Sequence, residues 1–101
     1  MYNHAVITSF ADATTEDIYH GRITKAALKL PRELWTRIQR KLDLLEAAAT
    51  LNDLRVPPSN RLEALKGDLA GKYSIRVNEQ YRIVFRFENG QSSEVCCTDY
   101  H

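Results

Sequence analysis

Four side chains in this sequence, Glu63, Arg82, Asp99 and His101, are of the types that can handle a phosphodiester. Cutting RNA without a metal ion needs a base to take the 2′-hydroxyl proton and an acid to protonate the departing 5′-oxygen. It also needs cations to stabilise the crowded phosphate. Imidazole titrates near neutrality, so His101 suits either proton role. Glu63 and Asp99 can act as bases, and Arg82 can hold the phosphate through its planar fork of donors. Each has a plainer reading. A terminal histidine is commonly a solvated end, an aspartate beside an arginine a simple ion pair, and a glutamate on a short strand a solvated carboxylate. Tyr100 can stack on a base or donate a hydrogen bond, and can equally be packing.

A hairpin has to position these groups. Tyr73, Ile75 and Val77, then Tyr81, Ile83, Phe85 and Phe87, fall at every second position, which is strand periodicity met twice. Arg76, Arg82 and Arg86 face the other way, so one sheet face is apolar and the other carries guanidinium groups. A three-residue loop at Asn78-Glu79-Gln80 pairs Arg76 with Arg82, two cations that repel unless an anion joins them. Asn89-Gly90 is the strongest turn signal, and a two-residue loop there pairs Glu88 with Gln91 and, by uninterrupted counting, Arg82 with Cys97. Asp99 is then a diagonal neighbour of Arg82. Alternation puts Asp99 and His101 on its face with Tyr100 pointing away, so one site should draw on Arg76, Arg82, Asp99 and His101.

The remaining elements are predicted from the same signals. Ala5 to Phe10 reads as a short first strand. Asp12 or Thr15 can cap a short helix that Gly21 stops. Pro31 suits the first turn of a longer helix whose Leu34, Ile38, Leu42 and Leu45 make one apolar stripe, with its end expected at Thr50 to Asp53. Trp35 belongs to that packing. Pro57-Pro58-Ser59-Asn60 reads as an extended connector and Arg61 to Leu65 as a short strand. Lys66-Gly67-Asp68 with Gly71 makes a turn-rich crossing.

At 101 residues, 44% hydrophobic and 27% charged, the chain is expected to form one globular domain over residues 1–101. No membrane span or secretory leader is visible, so the expected location is the cytoplasm. Cys96 and Cys97 are adjacent and read as reduced strand residues. The histidines and cysteines do not fall at zinc spacings, and no phosphate loop or serine triad is present. The net charge of +1 is uneven along the chain. Residues 1–54 are neutral. Residues 55–86, with Arg61, Lys66, Arg76 and Arg82, carry seven basic against three acidic groups, and 87–101 are acidic. A basic hairpin region suits a phosphate-bearing partner, and Arg61 and Arg76 are candidates to bind it.

Three segments together resemble a known family. They are Leu62 to Asp68, Tyr73 to Ile83, and the terminal Asp99-Tyr100-His101, with Ser9-Phe10-Ala11-Asp12 and the long helix before Pro57-Pro58 in matching layout. The chain resembles the HigB-type killer toxins of the RelE/ParE superfamily over nearly its whole length. That resemblance implies an α+β, RelE-like microbial RNase fold, with a short N-terminal strand and two helices packed on a small, mostly antiparallel, twisted sheet. It implies an endoribonuclease, with no metal or cofactor expected, that enters the ribosomal decoding site and cuts messenger there. It also implies a HigA-like helix-turn-helix antitoxin that silences the toxin, the complex repressing its own operator. By position, Asp99, Tyr100 and His101 match the terminal catalytic segment, Arg82 the phosphate-stabilising arginine and Lys66 a basic residue near the scissile phosphate. Glu63 departs from the pattern, because characterised members can carry histidine there. A carboxylate could act as base but cannot donate a proton at neutral pH.

Two other readings stay open. One is a module that occupies RNA or ribosome without cutting. The other is an inert toxin fold whose task is the repressor complex, since superfamily relatives that inhibit DNA gyrase share the architecture.

Overall fold

The apolar stripe of the longer helix decides how this chain folds. In a computed structural model that describes residues 7–99, the helix α2 (Trp35–Ala47) buries Trp35, Ile38, Leu42 and Leu45. These four join Ile75, Val77, Ile83, Phe85 and Val95 of the sheet in one core, whose burial supplies the main favourable term in folding. The shorter helix α1 (Ala13–Tyr19) is capped by Asp12, whose carboxylate accepts from the Thr15 N–H at 2.8 Å. It adds Ile18 to the core. Gln39 of α2 donates to the Ile18 carbonyl, and the Cys97 N–H donates to the Thr15 hydroxyl. Both helices are thereby tied to each other and to the sheet.

Among the described residues the sheet has four antiparallel strands in chain order, β1 (Glu63–Ala64), β2 (Lys72–Arg76), β3 (Tyr81–Glu88) and β4 (Gln91–Asp99). The expected α+β arrangement of helices on a small antiparallel sheet is present. Both hairpin registers follow their turn residues, with Arg76 opposite Arg82 and Glu88 opposite Gln91. The Asn78 side chain closes the first loop by accepting from the N–H groups of Gln80 and Tyr81.

Four expectations need correction. The register of β3 with β4 slips between Val84 and Arg86, so Arg82 faces Thr98, not Cys97, and Asp99 faces Tyr81. The cause is a bulge in which Glu94, at φ 51°, and Val95 stand against the single residue Phe85. Ser9 holds it: its hydroxyl accepts from the Glu94 N–H and its carbonyl from the Val95 N–H. Of the expected first strand, Ala5 and Val6 lie outside the described residues, and Ile7 and Phe10 make isolated parallel bridges to Ser92 and Val95. The helix α2 stops at Ala47, earlier than predicted. Thr50 then begins a separate 3₁₀ turn (Leu51–Arg55) with a capping box, its hydroxyl on the Asp53 N–H and the Asp53 carboxylate on the Thr50 N–H. Finally, the connector is not extended throughout. Pro58–Asn60 forms a 3₁₀ turn, because the buried Asn60 amide donates to the Leu54 and Val56 carbonyls while its oxygen accepts from Lys41.

Candidate active site

Strand pairing turns the sheet face away from the helices into rows. One row runs Arg76, Arg82, Thr98 across β2, β3 and β4. The next runs Glu63, Ser74, Val84, Cys96 across all four strands. Rows two residues apart along a strand share a face, so Glu63 on β1 and Arg82 on β3 are diagonal neighbours across β2. Their side chains meet: Arg82 Nη1 lies 3.3 Å from Glu63 Oε1. The other end of the fork, Nη2, donates to the Arg61 carbonyl at 2.7 Å. The Arg82 side chain is 11% exposed and that of Glu63 53%. The guanidinium is thus fixed in place by a carboxylate that solvent reaches.

Arg61 can offer that carbonyl because it adopts the left-handed conformation, φ 47°, just after the anchored Asn60. Nothing in the sequence marked Arg61 as a backbone partner of Arg82. Its own side chain, predicted as RNA-binding, lines a cleft towards α2. Arg76 stands opposite Arg82 in the strand pairing but turns to the hairpin loop, donating from Nε to the Asn78 carbonyl at 3.1 Å with Nη2 3.8 Å from Glu79. The repulsion expected between the two arginines is thereby relieved by separate partners. Lys66, at the end of the β1 segment, is exposed.

Asp99 does not share the Arg82 face, as the shifted register requires. Its carboxylate accepts from the Gln80 amide at 3.0 Å, beside the first hairpin loop. Tyr100 and His101 lie outside the described residues. The basic face also carries more carboxylate than the alternation implied: Glu94 sits 3.4 Å from Lys72 and 3.2 Å from Arg86. Between Glu63 and Val84, Ser74 is fully buried with an unpartnered hydroxyl oxygen. Among the described residues no group of three or more His, Cys, Asp or Glu side chains could hold a metal ion.

A family model described as "RelE-like toxin of type II toxin-antitoxin system HigB" matches residues 8–101. The chain belongs to the HigB-like toxins. Toxin HigB-1 of Vibrio cholerae serotype O1 is 42% identical over 81 residues, 80% of this chain and 83% of that protein. Endoribonuclease HigB of Proteus vulgaris is 33% identical over 96 residues, 95% of this chain and all of that one. The fold of this HigB-like chain is shared by a chain of a YoeB–YefM complex from Staphylococcus aureus, with TM-score 0.59 at 20% identity, covering 98% of this chain and 99% of that one. A YoeB/ParE toxin from Agrobacterium tumefaciens matches with TM-score 0.52 at 18% identity, over 95% and 99% of the two chains. At such identities the likeness speaks for architecture alone.

Proposed function

We propose that this HigB-like toxin is an endoribonuclease that cuts messenger RNA in the ribosomal decoding site, using side chains and no metal. The observation that carries the reading is the Arg82 guanidinium, fixed by the Arg61 carbonyl and held on its other edge by the accessible carboxylate of Glu63. A phosphate oxygen accepts a charge-assisted hydrogen bond as a carboxylate oxygen does and can take the place of Glu63 on Nη1. The relative named Endoribonuclease HigB, aligned over the whole of its length, supports the same chemistry.

In this mechanism a base removes the 2′-hydroxyl proton and the 2′-oxygen attacks the adjacent phosphorus. The bond to the 5′-oxygen breaks as an acid protonates it, leaving a 2′,3′-cyclic phosphate and a 5′-hydroxyl. Asp99 stands on the Tyr81 side and accepts from Gln80, so of the terminal segment Asp99-Tyr100-His101 the proton transfers fall to His101, the group best matched to neutral pH. Arg82 stabilises the charge that builds on the phosphate, and Lys66 and Arg76 steer the strand. Glu63 positions Arg82 until RNA arrives. A cognate HigA-like helix-turn-helix antitoxin silences the toxin in the cytoplasm, and their complex binds operator DNA. No cofactor takes part.

Expression with and without His101 tests the assignment. Growth arrest and messenger cutting should fall by about 100-fold or more on its removal, within the range that general acid or base groups supply. Unchanged cutting would remove His101 from the mechanism. A second reading, occupancy without cutting, draws on Glu63 standing where the phosphate must sit. Protection of ribosome-bound messenger without strand breaks would favour it.

A further inference from the structure

Two rows along β3 from Arg82, the same sheet face carries a second pair of cations, bridged by one carboxylate. Lys72 and Arg86 stand opposite each other in the β2–β3 register. Glu94 spans them, with Oε1 3.4 Å from Lys72 Nζ and Oε2 3.2 Å from Arg86 Nε. One oxygen goes to each cation, an arrangement in which phosphate oxygens can replace carboxylate oxygens one for one. Arg86 is also held from the side, because its Nη1 packs on Gly71, where a Cβ would come within 3.1 Å. The Lys72 side chain is 20% exposed and that of Glu94 50%, so the carboxylate is the partner that can swing out into solvent.

Stability does not account for Glu94. It reaches this face because the bulge inserts a residue into β4 and sets Glu94 at φ 51°, a left-handed conformation that a Cβ opposes. An exposed ion pair returns no more than that conformation costs. Ser9 holds the bulge through the main-chain N–H groups of Glu94 and Val95, which does not require the Glu94 side chain. That side chain answers to the two cations, as Glu63 answers to Arg82.

We propose that Lys72 and Arg86 form a second phosphate subsite for single-stranded RNA, with Glu94 as a resident counter-ion that a phosphate of the bound strand displaces. The proposal rests on the nuclease reading above and extends it to a second phosphate of the same strand. Arg82 and Arg86 lie on one face of β3, about 13 Å apart at the rise of a β-strand. No single phosphate spans that distance, so the two seats take different phosphates. The row between them, Ser74 and Val84 on β2 and β3, is buried and carries no charge, and its Ser74 hydroxyl oxygen is unpartnered. A strand presenting phosphates at intervals engages both seats, whereas a small free anion engages one.

The test neutralises phosphates one at a time. Programmed ribosomes carry a messenger with a 2′-deoxy nucleotide at the cleavage position, which prevents cutting, and one uncharged methylphosphonate linkage at successive positions. Wild-type toxin should lose about fivefold in affinity, the worth of one exposed ion pair, at the scissile linkage and at one other. With Lys72→Ala and Arg86→Ala together, at the wild-type melting temperature, the loss at that second linkage should vanish while the loss at the scissile linkage stays. Glu94→Gln, which keeps the main-chain bonds of the bulge, should tighten binding of the fully charged messenger by about two- to fivefold and have no effect in the double variant. Equal sensitivity of wild type and double variant at every linkage would overturn the proposal. So would weaker binding by the double variant that no single linkage explains, or a loss confined to competition by inorganic phosphate, which would mark a free-anion site. If the second linkage couples to Lys72 and Arg86 but an all-ribose messenger is not cut, the subsite stands and the nuclease reading fails.

Discussion

Glu63, which solvent reaches, meets the largely buried Arg82 at 3.3 Å, and screening of its carboxylate keeps such a pair to about 1 kcal/mol. RNA can therefore displace Glu63 at little cost. Glu63→Gln should tighten binding to a non-cleavable messenger analogue by about two- to fivefold and leave cutting intact. Loss of cutting in that variant would make Glu63 the general base. The cysteines allow a second check at this scale. Burial, with Cys96 and Asp12 nearby, pushes the Cys97 thiol up to about 12, and burial with Asp12 raises Cys96 despite Lys72. At pH 8, native Cys97 should react with iodoacetamide about 100-fold or more slowly than an open thiol, since the thiolate is the nucleophile. Guanidinium denaturation should restore the rate. The sign for stability follows: the native state keeps a proton that the unfolded chain releases, so stability falls as pH rises above the ordinary thiol range towards 12. Fast native labelling would contradict the burial.

At the scale of elements, the connector and the bulge set the site's geometry. Asn60, fully buried, serves the Leu54 and Val56 carbonyls and accepts from Lys41. Asn60→Ala strands those groups and should cost about 2–3 kcal/mol in urea denaturation, with growth arrest weakened because Arg61 no longer presents its carbonyl to Arg82. A cost below about 0.5 kcal/mol would show that the connector is held otherwise. Turn residues and alternation made both hairpins legible in the sequence, since Asn78 and Asn89-Gly90 carry their turn chemistry locally. The bulge was not legible. Glu94 takes a left-handed conformation without being glycine, and its partner Ser9 lies 85 residues away. That one inserted residue moved Asp99 to the Tyr81 side. The Pro57-Pro58 pair likewise suggested extension, while the turn that follows depends on the side chain of Asn60.

Over the whole molecule, charge summed along the chain concealed how it gathers in space. Residues 1–54 are neutral, yet Arg37, Arg40 and Lys41 project from α2 beside Arg61 and Arg76. Only the packing of helix, connector and hairpin brings them together. The basic sheet face, legible from the alternation of arginines, is in turn divided by Glu63, Glu79 and Glu94 into separately paired cations. The chemistry proposed for this toxin falls to Arg82, whose partner Glu63 is reached by solvent. The most direct measurement is cleavage of end-labelled messenger on purified, programmed ribosomes by wild type and by Arg82→Ala of equal melting temperature. The account predicts wild-type fragments ending in a 2′,3′-cyclic phosphate, with a rate about 100-fold or more lower in the variant. Equal rates, or wild-type protection of messenger with no cut, would contradict it.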